Sequence, residues 1–224
     1  MLTRICPYTL RGFLYYQGES DDHRPETYAE LLEALILRWR SDWGDDALPF
    51  LNVQLPMFRY ANEPDKKHWC RIREAQMQVY RKLRHTGLAV LTDCGELDNI
   101  HPVDKAPVAH RLYLQAMSEV YHLLPRAAAC APAYRESYAS GRVMNVYCDH
   151  AANGWMLKGE PTGFELAGAD GEFYPAAAAF APGCITLTAK AVAEPRFARY
   201  AWSNYTEVTV FGRNGLPLAP FRTF

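Results

Sequence analysis

The first 125 residues alternate between short apolar runs and stretches in which apolar residues recur every three or four positions, as in a helix. The apolar runs are 12–16, 50–55 and 88–92, and the helical patterns cover 25–40, 65–84 and 104–125. Elements in this order, joined by short connections, require parallel strands with right-handed crossovers. The sequence therefore predicts an α/β sheet in this part of the chain.

Three strands are few for such a sheet, because parallel sheets usually contain about five strands and are covered on both faces. We therefore interpret residues 1–132 as the later part of an α/β domain, with at least one strand supplied from elsewhere.

After Pro132 the pattern changes to short β-like runs separated by turn signals, among them Asn153-Gly154, Asp170-Gly171 and Asn214-Gly215. This pattern predicts an antiparallel β module over residues 133–224. We expect Trp202 and Phe211 to be buried in it. The runs are 142–147, 163–167, 184–189, 197–202 and 207–211.

Charge and composition narrow the choice of partner. Lys and Arg number 24 against 25 Asp and Glu, which gives a net charge of −1 without a basic run. This balance disfavours nucleic acid and anionic membrane as partners. No run reaches the ~18 apolar residues of a membrane span, and the N-terminus lacks a signal-peptide pattern. The sequence leaves the cellular compartment open.

The six cysteines are widely spaced and form no Cys-x-x-Cys pair, which argues against a zinc ribbon. Disulfides remain possible, but buried free thiols are favoured in a chain of this size.

Polar residues follow the first and third apolar runs, where parallel strands end. Gln17, Gly18 and Glu19 follow the first run, and Asp93 and Cys94 follow the third, leading to Asp98-Asn-Ile-His-Pro102. Ligands bind outside the carboxyl ends of the strands in open parallel sheets. We therefore expect these residues to converge on one rim.

Asp98 and His101 are the candidate acid–base pair of this rim. Pro102 pushes His101 out of the helical region, so a short loop can fold Asp98 back onto the His101 ring. The second ring nitrogen can then take a proton from a nucleophile, as in a hydrolase triad. The alternative is a surface or capping histidine. An Asp/His metal site is disfavoured, because no third ligand occurs at a suitable spacing.

Gln17 can donate to a developing oxyanion, and Gly18 allows close approach of a ligand to the backbone. The alternative is structural: Glu19 caps a helix and Gln17 completes a buried polar network. Ser20 lacks the glycine two residues later that a nucleophile elbow requires, so we interpret it as a turn residue. Asp149 and His150 in the β module are interpreted as a solvated pair.

Several strings in this order resemble the sialate O-acetylesterase family of SGNH-type carbohydrate esterases. In the first half they are Leu14-Tyr-Tyr-Gln-Gly-Glu-Ser20, Arg38-Trp-Arg-Ser-Asp-Trp-Gly44, Pro49-Phe-Leu-Asn-Val-Gln-Leu-Pro56 and Asp98-Asn-Ile-His-Pro102. The closing strings are Gly163-Phe-Glu-Leu-Ala-Gly168, Ala198-Arg-Tyr-Ala-Trp202 and Gly215-Leu-Pro-Leu-Ala-Pro-Phe-Arg-Thr223.

The resemblance implies a three-layer α/β/α sandwich, here incomplete, followed by a β module. It implies hydrolysis of acetyl esters on an O-acetylated carbohydrate, without a metal or organic cofactor. In that reading His101 is the general base, Asp98 orients it, and Gln17, with Gly18 and Glu19 beside it, forms the oxyanion and substrate site.

The family's nucleophilic serine lies in a Gly-Gln-Ser-Asn motif upstream of the string that contains Gln17, and these 224 residues contain no such motif. We therefore expect an upstream segment to supply the nucleophile, and the chain alone to be inactive. The alternative is an inactive remnant or a sugar-binding module. Members of the family are often exported, which again leaves the compartment of this chain open.

Overall fold

The computed structural model describes residues 4–6 and 8–223. Its first half contains three strands and three long helices, and the strands pair in parallel in the order β1-β2-β3. The α/β sheet predicted from the periodicity is therefore confirmed. The elements are β1 (Phe13–Tyr15), α1 (Pro25–Trp43), β2 (Phe50–Gln54), α2 (His68–Lys82), β3 (Thr86–Val90) and α3 (Ala106–Glu119).

Helices cover the sheet on both faces. Ile36 of α1 and Ile72 of α2 share a core with Phe50 of β2. Val53 of β2 packs on the other side against Val108 in α3. All five residues of β2 are buried, as expected of a central parallel strand.

Strand β1 lies at one end of the sheet and pairs with β2. It is the least covered of the three strands, and its Leu14 side chain is 65% exposed. Among the described residues the outer edge of β1 is unpaired, and an unpaired edge beside an exposed leucine is a surface that folded proteins normally cover.

The second half is built from antiparallel strands, as predicted. After the short helix α4 (Arg126–Ala129), two four-stranded sheets form in the orders β4-β5-β10-β9 and β13-β11-β7-β8, and β12 pairs with β6. The strands are β4 (Ala133–Ser140), β5 (Val143–Asp149), β6 (Trp155–Leu157), β7 (Phe164–Ala167), β8 (Phe173–Pro175), β9 (Ala177–Ala181), β10 (Cys184–Thr188), β11 (Phe197–Tyr200), β12 (Val210–Gly212) and β13 (Phe221–Arg222).

One residue of the first half lies in the core of the β module. Met57, from the loop after β2, is 1% exposed and packs among the module's buried side chains. Trp202 and Phe211 are buried as predicted. We propose residue 132 as the boundary between the two parts, because β4 begins at Ala133. The insertion of Met57 means that the module supports a loop of the parallel sheet.

Two helices end at other residues than the apolar periodicity predicts. Helix α1 continues to Trp43 and ends at Gly44, whose positive φ lets its N–H reach the carbonyls of Arg40 and Ser41. Helix α3 ends at Glu119 and does not extend to Pro125.

The six cysteines are free. Within the part of the chain that the structure describes, no helix is long and apolar enough to cross a membrane.

Candidate active site

The loops after β2 and β3 cross in direct backbone contact at the carboxyl end of the sheet. A Cβ atom on Gly95 would overlap the backbone of Met57. The loop after β3 can therefore pass over the loop after β2 only with glycine at this position. This crossing holds the start of the β3 loop directly against the loop after β2.

Asp93 anchors the beginning of the β3 loop to α3. Its two carboxylate oxygens accept from the guanidinium of Arg111 at 2.5 and 2.8 Å, and Arg111 also donates to the carbonyl of Val90 at 2.6 Å. Both side chains are largely buried. This paired, bidentate contact fixes where the loop leaves the strand.

Glu96 organises the middle of the same loop. It accepts hydrogen bonds from the Asn99 amide at 2.8 Å and from the Val103 N–H at 2.7 Å. These bonds, the Val103 bond first, lower the pKa of the Glu96 carboxyl. Asn99 in turn accepts the backbone N–H of His101 at 3.0 Å. The backbone of His101 is therefore held in place by its own loop.

Among the described residues, Asp98 forms no hydrogen bond or ion pair with the His101 ring. Its backbone has a positive φ of 64°, its N–H donates to the carbonyl of Arg59 at 3.1 Å, and its carboxylate accepts the Ala61 N–H at 2.5 Å. The His101 side chain is exposed and forms no hydrogen bond or ion pair with any described residue. The pair lies on one loop, but the expected hydrogen bond is absent from this conformation.

The loop after β1 lies beside these residues. Lys105, which follows His101 on the way into α3, places its ammonium 5.8 Å from the centre of the Tyr16 ring. Burial, with smaller contributions from Glu19 and Cys94, raises the pKa of Tyr16 to about 12. These proximities bring the loops after β1 and β3 together, as expected from the parallel topology.

Gln17 belongs to a polar network beneath this rim. Its carbonyl accepts from the Tyr28 hydroxyl at 2.9 Å and from the Gln76 amide at 3.1 Å. Its side-chain oxygen accepts from the hydroxyls of Tyr28 and Tyr15 at 3.3 and 3.5 Å, and its side-chain nitrogen donates to Asp21. Gln17 therefore takes part in a polar network, which is the structural role that the sequence left open as an alternative. An amide nitrogen carries two N–H groups, and within the part of the chain that the structure describes Asp21 is the one acceptor of this nitrogen, which leaves a second donor for a ligand.

Gly18 is buried against α2, and a Cβ atom there would lie 3.0 Å from Ile72 and 3.2 Å from Gln76. Glycine suits this position because a side chain has little room there and because the φ of 145° is one that other residues seldom adopt. Glu19 opens the 3₁₀ turn Glu19–Asp21 and is half-buried.

Ser20 and Cys94 lie in the loops that form the rim and carry a hydroxyl and a thiol that could act as a nucleophile. Ser20 is exposed in the 3₁₀ turn and has no hydrogen bond to a histidine among the described residues. Burial, and then the neighbouring Asp93, raises the pKa of the Cys94 thiol to about 12, which keeps it protonated at neutral pH. Neither side chain is activated in this arrangement.

The β module holds the loop after β2 through Asn204. The Asn204 carbonyl accepts the Phe58 N–H at 3.0 Å, and its side chain accepts the Trp69 N–H at 2.9 Å. Asp65 accepts the Asn204 N–H at 3.0 Å. The module therefore helps to shape the rim.

Sequence reasoning missed Gly95, Glu96, Arg111 and Gln76. Gly95 and Glu96 lie between Cys94 and Asp98, two residues that the sequence had already assigned to the rim. Their position in the sequence could therefore have identified them. The partners of Arg111 and Gln76 lie 18 or more positions away in sequence, so only the fold reveals them. No group of three or more His, Cys, Asp or Glu side chains that could hold a metal occurs within residues 4–6 and 8–223.

The chain is similar to known carbohydrate esterases. Residues 2–115 match the family described as carbohydrate esterase, sialic acid-specific acetylesterase. The mouse sialate O-acetylesterase is 32% identical over 129 residues, covering 50% of this chain and 24% of that protein. The human sialate O-acetylesterase is 30% identical over 137 residues, covering 54% of this chain and 26% of that protein.

The crystal structure of a carbohydrate acetylesterase from Xanthomonas citri superimposes with a TM-score of 0.91 at 33% identity. The match covers 98% of this chain and 52% of that chain. The chain thus spans about half the length of this solved acetylesterase and about a quarter of the length of the curated relatives. Since the family match covers half of the chain, this protein belongs to the sialic acid-specific acetylesterase family of carbohydrate esterases.

Proposed function

We propose that this chain forms part of the active site of a sugar O-acetylesterase, which uses a serine nucleophile from a segment outside these 224 residues. The observation that carries the proposal is the meeting of the loops after β1 and β3 on one rim in a member of this family. The rim brings an exposed histidine and an amide donor to the end of a parallel sheet where ligands bind.

In the proposed reaction, His101 takes the proton of the serine hydroxyl as the serine attacks the acetyl carbonyl. The amide of Gln17 and the backbone beside Gly18 stabilise the resulting oxyanion. The tetrahedral intermediate collapses by breaking the bond to the sugar oxygen, which takes the proton from His101 and leaves as a free sugar hydroxyl. Water, activated by His101, then hydrolyses the acetyl-enzyme to acetate.

Asp98 is the proposed orienting group, and that role requires a local change. Its carboxylate must leave the Ala61 N–H, or share it, to accept a hydrogen bond from the His101 ring. Both residues belong to one short loop, and the His101 side chain is exposed and so is not locked by packing.

The open edge of β1 is the proposed docking position for the missing segment. Leu14 is exposed beside this edge, and Gln17 follows the strand directly at the rim. A strand added here would end next to Gln17, and its last residues could bring a serine to the rim. It would also cover the apolar surface that β1 leaves in water.

The test is to compare His101→Ala with His110→Ala in the complete protein, using O-acetylated sialic acid as substrate. His110 is an exposed histidine of α3 and serves as the matched control. We expect His101→Ala to lower kcat/KM at least about 1000-fold, because a general base and its triad act together. Equal activity of the two variants would refute the assignment.

A second candidate function is sugar binding without hydrolysis. The observation that favours it is the engagement of Asp98 with Ala61 instead of His101. Under this alternative, the complete protein binds the acetylated sugar and releases no acetate, and His101→Ala changes neither property. Measuring acetate release and binding on the same sample separates the two functions.

A further inference from the structure

A cleft of about 410 Å³ lies at the opposite end of the parallel sheet from the rim. It is bounded by the end of α2, the start of β3, the region of α3 and α4, and strands β4 and β5. Thr86, the first residue of β3, lines it, whereas the rim lies beyond the last residues of the strands. The cleft is therefore separate from the proposed active site.

Three arginines and two carboxylates line this cleft. The carboxylates are already paired: Glu119 lies 3.3 Å from Arg126, and Asp149 lies 3.5 Å from Arg135, which is not among the lining residues. The lining carboxylates therefore do not neutralise Arg81 and Arg84. The cleft keeps excess positive charge on a protein whose net charge is −1.

Two of the arginines also donate hydrogen bonds to uncharged partners. Arg126 donates to the Tyr80 hydroxyl at 2.6 Å, and Arg81 donates to the Tyr134 carbonyl. The guanidinium of Arg84 makes no hydrogen bond or ion pair with any residue that the structure describes. Its backbone carbonyl is fixed, since it accepts from Arg40 at 2.9 Å. Arg84 is thus an anchored residue with free donors.

Two histidines of the cleft have an unusual backbone. His85 has a φ of 55° and His150 a φ of 60°, in the left-handed region that residues other than glycine seldom adopt. His85 lies between α2 and β3, and His150 follows β5, so the two come from the two halves of the chain. Strained backbone of this kind is concentrated at binding and catalytic sites.

We propose that this cleft binds a tetrahedral oxyanion group, phosphate or sulfate, either free or carried by a sugar. The planar guanidinium of Arg84 offers paired N–H donors, which match two oxygens of such a group. Arg81 contributes further positive charge, and the volume of about 410 Å³ accommodates a monosaccharide ester. This assignment is independent of the esterase activity.

The test is isothermal titration of the chain with inorganic phosphate, inorganic sulfate and glucose 6-phosphate at low ionic strength. We expect saturable 1:1 binding with a Kd below about 1 mM for at least one of the three. Tighter binding of glucose 6-phosphate than of free phosphate would identify a sugar-borne group as the ligand, and equal affinities would identify the free anion.

Arg84→Gln should weaken this binding at least about 10-fold, as expected for loss of a charge-assisted contact. Arg84→Lys should weaken it less, because the charge is kept and the paired geometry is lost. Arg196→Gln removes the same charge from an exposed arginine outside the cleft and should have little effect. Circular dichroism checks that each variant is folded.

The proposal is overturned if none of the three anions binds saturably. It is also overturned if Arg84→Gln and Arg196→Gln weaken binding equally, since attraction would then reflect overall charge and not a site.

Discussion

Gln76 joins the ends of two strands by bonding to Gln17. Its amide nitrogen donates to the Gln17 carbonyl at 3.1 Å, and its amide oxygen accepts the N–H of Leu55 at 2.9 Å. Gln76 is 1% exposed, so water cannot replace these bonds. A single side chain of α2 therefore sets the spacing between the loops after β1 and β2. The proposed oxyanion donor, the Gln17 amide, projects from the loop after β1.

Replacing Gln76 by methionine should destabilise the fold. The Leu55 N–H would be left buried without an acceptor, which costs about 1–3 kcal/mol. Gln78→Met is the matched control on the same helix, because Gln78 is exposed, and its effect should be within about 0.5 kcal/mol. Urea unfolding of both variants measures the difference. Equal stabilities would show that the bond to Leu55 contributes nothing.

Replacing Gly95 by alanine should separate the loops after β2 and β3. The added methyl would overlap the backbone of Met57, so one loop must move, at a cost of about 1–3 kcal/mol or more. Gly168→Ala is the control, since a Cβ there meets its neighbours at 3.4 Å or beyond. In the complete protein, Gly95→Ala should also lower kcat, whereas Gly168→Ala should not. Unchanged stability and kcat in Gly95→Ala would mean that the crossing can relax freely.

The ion pair between Asp93 and Arg111 should matter far more than an exposed one. Arg111→Met leaves the Asp93 carboxylate without its partner in a largely buried position, and we expect a loss of about 3–5 kcal/mol. Arg38→Met breaks the pair with Asp42, in which Arg38 is 71% exposed, and should cost at most about 1 kcal/mol. Thermal and urea unfolding compare the two. A similar loss in both variants would contradict the anchoring role of Asp93.

Acid should loosen the loop that carries His101. Hydrogen bonds from Val103 and Asn99 lower the pKa of Glu96 in the folded protein. A lowered carboxyl pKa gives stability that is present above the unfolded value of about 4.3 and is lost as the pH falls through the folded pKa. Amide exchange at Val103 should therefore accelerate in that acid range.

In Glu96→Gln this acid dependence of exchange at Val103 should disappear. Glu63→Gln changes an exposed carboxylate on another loop and should keep the dependence. If Val103 exchanged with the same pH profile in all three proteins, Glu96 would not control the loop.

Sequence patterns predicted the parts of this fold that repeat along the chain. The alternation of apolar runs and helical patterns predicted the parallel sheet, and the turn signals after Pro132 predicted the antiparallel module. Both follow from local periodicity, which a single sequence carries. The convergence of the Gln17 loop and the His101 loop followed from the topology alone.

The details of the candidate site were not predictable, because partners distant in sequence decide them. The sequence predicted that the Asp98 carboxylate accepts a hydrogen bond from His101. In the structure it accepts the backbone N–H of Ala61, 37 positions earlier, instead. Strand β9 consists mostly of alanine, a weak strand former, and is a strand because it pairs with β10. In both cases tertiary contacts outweigh local preference.

The last prediction concerns the 224-residue chain by itself, which should not hydrolyse acetyl esters at an enzymatic rate. A triad needs its nucleophile about 2.6–3.2 Å from the base, and neither Ser20 nor Cys94 forms a hydrogen bond with a histidine among the described residues. The assay compares the chain alone with the chain plus an added segment that carries the Gly-Gln-Ser-Asn motif of the family, on the same O-acetylated sugar. Activity should arise only in the mixture and should be lost when His101 is replaced by alanine. Full activity of the chain alone that disappears in Ser20→Ala would make Ser20 the nucleophile and overturn the proposed mechanism, because the reaction would then need no second segment.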